Sequence, residues 1–191
     1  GIYWYRTSTD TFQIQVDGTT DGGGWILVLN YVHQGNTNPA LNVFTEDLPL
    51  EGSSVLGTNE STSSSYWGHA SNSLMNALNP EEIRFYGETS GHSRIMHFKT
   101  SHVNTISYFN TGTGSCSGIG SSYTALSGHT ANLPNSTANY FTNEGNYAMT
   151  QFPFWLAGTY HWGIRGAGSR WEVDDYPGDS SNHTFHQIWV R

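Results

Sequence analysis

Phe12-Gln13-Ile14-Gln15-Val16-Asp17, followed after a short polar link by Asp21-Gly22-Gly23-Gly24-Trp25-Ile26-Leu27-Val28, decides how this chain folds. The first segment alternates apolar and polar side chains, as a half-buried strand does, and the second is a Trp-led apolar strand. Three consecutive glycines weaken any element by maximising unfolded-chain entropy. They therefore imply a backbone conformation or a close approach that a side chain would block. The local expectation is a β-hairpin with an unusual, glycine-dense turn.

Working outward, residues 2–5, 12–16 and 25–31 read as three strands. From His33 to Ser65 the chain is loop-like, with short apolar knots at Leu41-Val43-Phe44 and Leu48-Leu50. Ser71 offers an N-cap to a short helix carrying Leu74, Met75 and Leu78, closed by Asn79-Pro80. Residues 82–87, 93–99 and 105–109 then read as a three-stranded meander, and 110–122 as a Gly/Ser-rich loop. No internal repeat and no linker divides the 191 residues, so one domain spanning 1–191 is expected. The chain opens inside an apparent strand, Gly1-Ile2-Tyr3-Trp4, which suggests the carboxyl-terminal part of a longer chain.

Composition narrows the function. Only 12% of residues are charged while 14% are aromatic, which describes a folded, β-rich, neutral-polar globule rather than a disordered segment. A net charge of −8, with seven scattered Lys and Arg, argues against nucleic acid. No apolar run approaches membrane-spanning length, so no membrane insertion is expected. Cys116 is the sole cysteine, which rules out a disulfide within the chain, and no basic neighbour activates it.

The Gly-Gly-Gly-Trp turn, entered from an aromatic-rich strand, resembles the opening of fibrinogen-like domains. Tyr66-Trp67-Gly68-His69, the Leu74–Leu78 helix and Ile83-Arg84-Phe85 follow in the family's order, so the likeness covers most of residues 1–110. It implies an α+β fold: a twisted, mostly antiparallel sheet with few short helices and long loops. Animal members carry conserved disulfides, one cysteine sitting close to where Asp17 stands here. Their absence implies a disulfide-free microbial or viral type.

The carboxyl-terminal third concentrates the unusual residues. Four of the seven Trp lie between Trp155 and Trp189, and Glu172, Asp174, Asp175 and Asp179 fall within eight residues. Such crowding raises carboxylate repulsion. Two readings follow: a calcium site built from these four acids, or a solvated loop whose Asp residues cap turns. The resemblance implies a ligand pocket beside calcium in this region. In its intelectin branch a His and a downstream Glu, here matched by His161 and Glu172, contact metal and glycan. Trp162, Trp171 and Tyr176 could face a pyranose, and Asn146, with Asn143, Glu144 and Arg170, could bond its hydroxyls. Trp25 and Trp189, inside apolar strands, are assigned to the core. His183 and His186 alone have zinc-like spacing, which falls short of four ligands. No Gly-x-Ser-x-Gly elbow is present, although Glu172 with Glu144 could form a glycosidase pair.

The expectation is non-catalytic, calcium-assisted recognition of a carbohydrate or acetylated glycan by a homo-oligomeric attachment tip. Such a tip, a viral tail fibre or surface adhesin, would be extracellular or on a virion surface. Two other classes stay open: a carboxylate-based polysaccharide-degrading enzyme, and a structural subunit of an extracellular filament.

Overall fold

The computed structural model describes residues 1–8, 11–33, 68–131, 140–156, 159–164, 172–174 and 182–191. Strands β1 (Ile2–Arg6) and β2 (Thr11–Asp17) form a hairpin in which Tyr3 faces Ile14 and Tyr5 faces Phe12. The glycine turn leads from β2 into β3 (Trp25–His33). Gly22, Gly23 and Gly24 all have positive φ, near 80°, and a Cβ on Gly23 would lie 2.4 Å from the carbonyl oxygen of Gly18. No side chain fits there, so the glycines are demanded by geometry.

Helix α1 (Asn72–Leu78) follows the two-residue strand β4 (Gly68–His69), and the Ser71 hydroxyl accepts from the Leu74 N–H at 3.2 Å, capping it as expected. Strands β5 (Ile83–Thr89) and β6 (Met96–Thr100) form the expected hairpin. The segment 105–109 is corrected from strand to helix: it lies within α2 (Val103–Thr111), and β7 (Thr124–Ala125) takes its place beside β6. The physical reason is burial. Thr105, Tyr108 and Phe109, spaced i, i+3 and i+4, are fully enclosed, and that stripe outweighs the strand preference of their residue types.

Strands β8 (Phe154–Leu156), β9 (Tyr160–Gly163) and β10 (Glu172–Val173) make a second, three-stranded sheet. Strand β11 (Thr184–Val190) returns to the middle of the large sheet, between β3 and β5, in the order β1-β2-β3-β11-β5-β6-β7 with β4 beside β3. All described pairings are antiparallel, and with two short helices the class is α+β. Among the described residues no helix is long and apolar enough to cross a membrane.

Alternation along β5 divides the two faces of the large sheet. Phe85 points inward, with ring centroids 4.7 Å from Phe98, 5.1 Å from Trp162, 5.4 Å from Phe154 and 6.1 Å from Phe109. Each aromatic pair adds about 1 kcal/mol beyond its buried area. The small sheet can approach this closely because β5 carries Gly87, where a Cβ would meet Trp162 at 3.0 Å and Val173 at 3.2 Å. Arg84 and Tyr86 point to the opposite face, away from the helices and the small sheet.

Candidate functional site

Strands β9 and β10 bring part of the expected set together, through the backbone. His161 Nδ1 donates to the Asp174 carbonyl at 3.0 Å, His92 Nε2 to the Val173 carbonyl at 3.1 Å, and His186 Nε2 to the Glu172 carbonyl at 3.0 Å. Three consecutive carbonyls are thus each held by a histidine from a different part of the chain. A carbonyl can only accept, so these contacts also fix which ring nitrogen carries the proton. His92 Nδ1 in turn accepts from the Arg94 backbone N–H at 3.1 Å.

The acids here are buried. Glu172 is 2% exposed, and Asp174, in the left-handed region at φ 59°, is fully enclosed with its carboxylate ion-paired to Arg94. Trp162 is also fully enclosed: its Nε1 donates to the Met149 carbonyl at 3.3 Å, and its ring meets Phe85 and His186 edge-on. That ring offers no open face, so the expected sugar contact at Trp162 becomes a core contact. Asn146 ties a 3-10 turn to α1, its Oδ1 accepting from the Asn72 N–H at 2.9 Å and its carbonyl from His69 Nε2 at 2.7 Å. Trp171, Tyr176, Asp175 and Asp179 lie outside the described residues.

Among the described residues no group of three or more His, Cys, Asp or Glu is arranged to hold a metal ion. Glu172 and Asp174 supply two carboxylates toward the six to eight oxygens calcium takes, and Arg94 already neutralises one of them.

A different site lies on the opposite face of the large sheet, beside the glycine turn. Asp17 ends β2, and its Oδ1 accepts from the Thr19 N–H at 2.9 Å, the Thr19 hydroxyl at 3.0 Å and the Thr20 N–H at 3.1 Å. Its Oδ2 accepts from Arg84 Nη1 at 2.7 Å. Burial alone would raise the Asp17 carboxyl, but the hydrogen bonds from Thr20, Thr19 and Arg84 outweigh it and hold the group far below the usual carboxylate range. The Arg84 guanidinium lies over the rings of Trp25 and Trp189, 5.1 and 4.7 Å from their centroids. Arg191 locks the same corner, donating to the carbonyls of Asp21 and Gly23 at 2.7 and 3.0 Å and lying 4.1 Å from the centre of Trp25.

Above this framework opens a cleft of about 430 Å³. Gln15, Asp17 and Thr19 line it from β2 and the turn that follows, Gln187 and Trp189 from β11, Arg84 and Tyr86 from β5 and His97 from β6, with Gly1 beside β2. The Tyr86 ring stands edge-on to His97 and Phe185, at 5.3 and 6.0 Å, and its hydroxyl donates to Glu88 Oε2 at 3.4 Å. His97 Nδ1 donates to the Ser127 carbonyl at 2.8 Å, leaving Nε2 as an acceptor; burial pushes this imidazole below its ordinary value. Gln187 spans the neighbouring strands, donating to Asn30 Oδ1 and accepting from Trp189 Nε1, both at 3.1 Å.

Comparison of the chain with models of protein families and with curated proteins finds no match to either.

Sequence reasoning missed this cleft, although one signal was there. In β2, β5, β6 and β11 the positions between the apolar ones carry Gln15, Asp17, Arg84, Tyr86, His97, Gln187 and Trp189, an outward set rich in planar polar and aromatic groups. Only strand pairing makes them neighbours: Arg84 is opposite Trp189, and Tyr86 is opposite both Gln187 and His97.

Proposed function

We propose that this chain is a non-catalytic carbohydrate-recognition domain of fibrinogen-like type, working as the tip of an extracellular or virion-surface attachment assembly. One observation carries the reading: the open cleft of about 430 Å³, in which the Tyr86 and Trp189 rings adjoin Gln15, Asp17, Arg84 and His97. A pyranose presents an apolar C–H face and a rim of hydroxyls, and small-molecule sites pair aromatic surface with a few placed polar groups in this way.

A binding rather than hydrolytic role is supported by the acids of the cleft. Among the described residues Asp17 is the only carboxylate in its lining, and it is held ionised by Arg84 and the two threonines. Glycoside hydrolysis uses two carboxyl groups, one of them protonated. Calcium assistance rests on the composition of residues 172–179, and weak monomeric affinity, about millimolar to micromolar, would be raised by assembly into an oligomer.

A glycan array probed with the native domain, with and without chelator, tests the reading. Tyr86→Ala should abolish binding while leaving the melting temperature nearly unchanged. If Trp171→Ala abolishes binding and Tyr86→Ala does not, recognition belongs to the carboxyl-terminal loops. If no glycan binds, the domain is not a lectin.

A further inference from the structure

Resting on the carbohydrate reading, we infer that His97 sets the specificity of the cleft between β2, β5, β6 and β11. Its Nε2 accepts a hydrogen bond from one ring hydroxyl of the saccharide, and the cleft discriminates against sugars that lack a donor at that position. The tautomer of the imidazole leads to this.

His97 Nδ1 lies 2.8 Å from the Ser127 carbonyl, which can only accept, so the ring proton is on Nδ1 and Nε2 carries a lone pair. Its direction follows from the sheet. Strand β6 lies between β5 and β7, and Ser127 comes just after β7. With Nδ1 turned to that side, Nε2 on the other side of the imidazole turns toward β5, where Tyr86 is the register partner of His97. The residue is also held in place. Its N–H donates to His129 Nδ1 at 2.9 Å, its carbonyl accepts from the Leu126 N–H at 2.9 Å, and its ring stands edge-on to Tyr86 at 5.3 Å. An acceptor fixed before the ligand arrives loses little freedom on binding.

The other side chains of the cleft do not offer this. Asp17 only accepts, but three donors take its Oδ1 and Arg84 its Oδ2. Gln187 and Trp189 are bonded to Asn30 and to each other. Arg84 Nη2, accessible beside the Asp17 pair, and the Gly1 amino group, which bonds the Val16 carbonyl at 2.7 Å, can only donate. The tyrosine and threonine hydroxyls and the Gln15 amide can each donate or accept, and turn to suit a ligand. Among the described residues, His97 Nε2 is therefore the one uncommitted side-chain atom of the cleft that only accepts. Burial lowers the tendency of this imidazole to take a second proton, and Arg84 acts in the same sense, against the pull of the Ser127 carbonyl and Asp17. The lone pair therefore persists at neutral pH. A sugar with no donor there would cover it without pairing it, which costs more than the bond itself contributes.

Methyl glucoside, methyl galactoside and methyl mannoside, titrated at neutral pH into the native domain with the His97 ring nitrogens observed by NMR, test this. The 2-, 3-, 4- and 6-deoxy forms of the tightest binder follow. The expected result is a shift of the Nε2 resonance on binding and one deoxy form weaker by about fivefold or more. His97→Phe keeps a ring beside Tyr86 and removes the acceptor. In that variant the penalty for the same deoxy form should fall below about twofold, while the penalties at other positions stay as they were. A merely structural His97 would weaken all the sugars alike and leave that penalty intact, which overturns the inference. So does sugar binding with no Nε2 shift, or with no deoxy form weakened; each of these outcomes leaves the lectin reading standing. Absence of binding by all three glycosides at millimolar concentration overturns both. Where His97→Phe fails to fold, the Nε2 shift and the deoxy series in the native domain decide.

Discussion

His161 donates its Nδ1 proton to the backbone carbonyl of Asp174 across 3.0 Å. Both residues carry the side chains that a metal or glycan site would use, yet the contact runs from a ring to the main chain. The histidine serves as a strut. With His92 and His186 holding the two preceding carbonyls, the short strand β10 and the residue after it are fastened at each position from 172 to 174 by imidazoles that must present an N–H at a defined nitrogen.

Acid should therefore loosen the domain before its carboxylates titrate. Burial pushes His186 down to about 4, against about 6.5 in the unfolded chain. Between those values the unfolded state binds a proton that the folded state refuses, so stability is fully present above pH 6.5 and falls as the pH drops toward 4. The loss from this group is about 3 kcal/mol when complete. Melting temperatures across pH 7 to 4.5 check it. His186→Gln, which keeps a donor near the Glu172 carbonyl, should flatten the profile.

Within the glycine turn, the three glycines should not be equivalent. Gly23→Ala drives a Cβ to 2.4 Å from the Gly18 carbonyl oxygen and also places alanine at positive φ, so it should cost at least about 2 kcal/mol. Gly24→Ala meets nothing within 4 Å and bears only the backbone strain, about 1 kcal/mol. Urea denaturation of both variants gives the order, and a reversed order would show that the turn is packed differently.

Removing the anion of the buried pair should cost more than removing an exposed one. Asp17→Ala strips Arg84 of its partner and the turn of its cap, and should destabilise by about 3 kcal/mol. Asp21→Ala should cost less, because Lys99 and Arg191 keep Glu82. Chemical denaturation of the two variants side by side makes the comparison.

Cys116 should be chemically silent in the native protein. It is fully buried, and burial pushes its thiol up to about 12, so little thiolate exists at pH 8 and reagents cannot reach it. Labelling with a thiol reagent should stay near zero in buffer and reach one equivalent in denaturant. Rapid native labelling would place the residue at the surface.

The sequence by itself determined what is written in short-range pattern. Alternation in 12–17 and 83–88, the Ser71 cap with its apolar spacing, and three glycines before Trp25 each act within a few residues, so hairpin, helix and turn could be read directly. The carboxyl-terminal crowding of acids and aromatics was equally visible, but composition carries no direction. Tertiary structure turned Trp162 into the core and gave Asp174 to Arg94, a residue eighty positions away. It also made a helix of 105–109, because enclosing Tyr108 and Phe109 outweighs the local preference of their neighbours. The cleft itself depends on β11 inserting between β3 and β5. That pairing alone sets Trp189 beside Arg84 and Gln187 beside Tyr86, and a slip of β11 by one residue would send Trp189 and Gln187 to the opposite face, away from Arg84 and Tyr86.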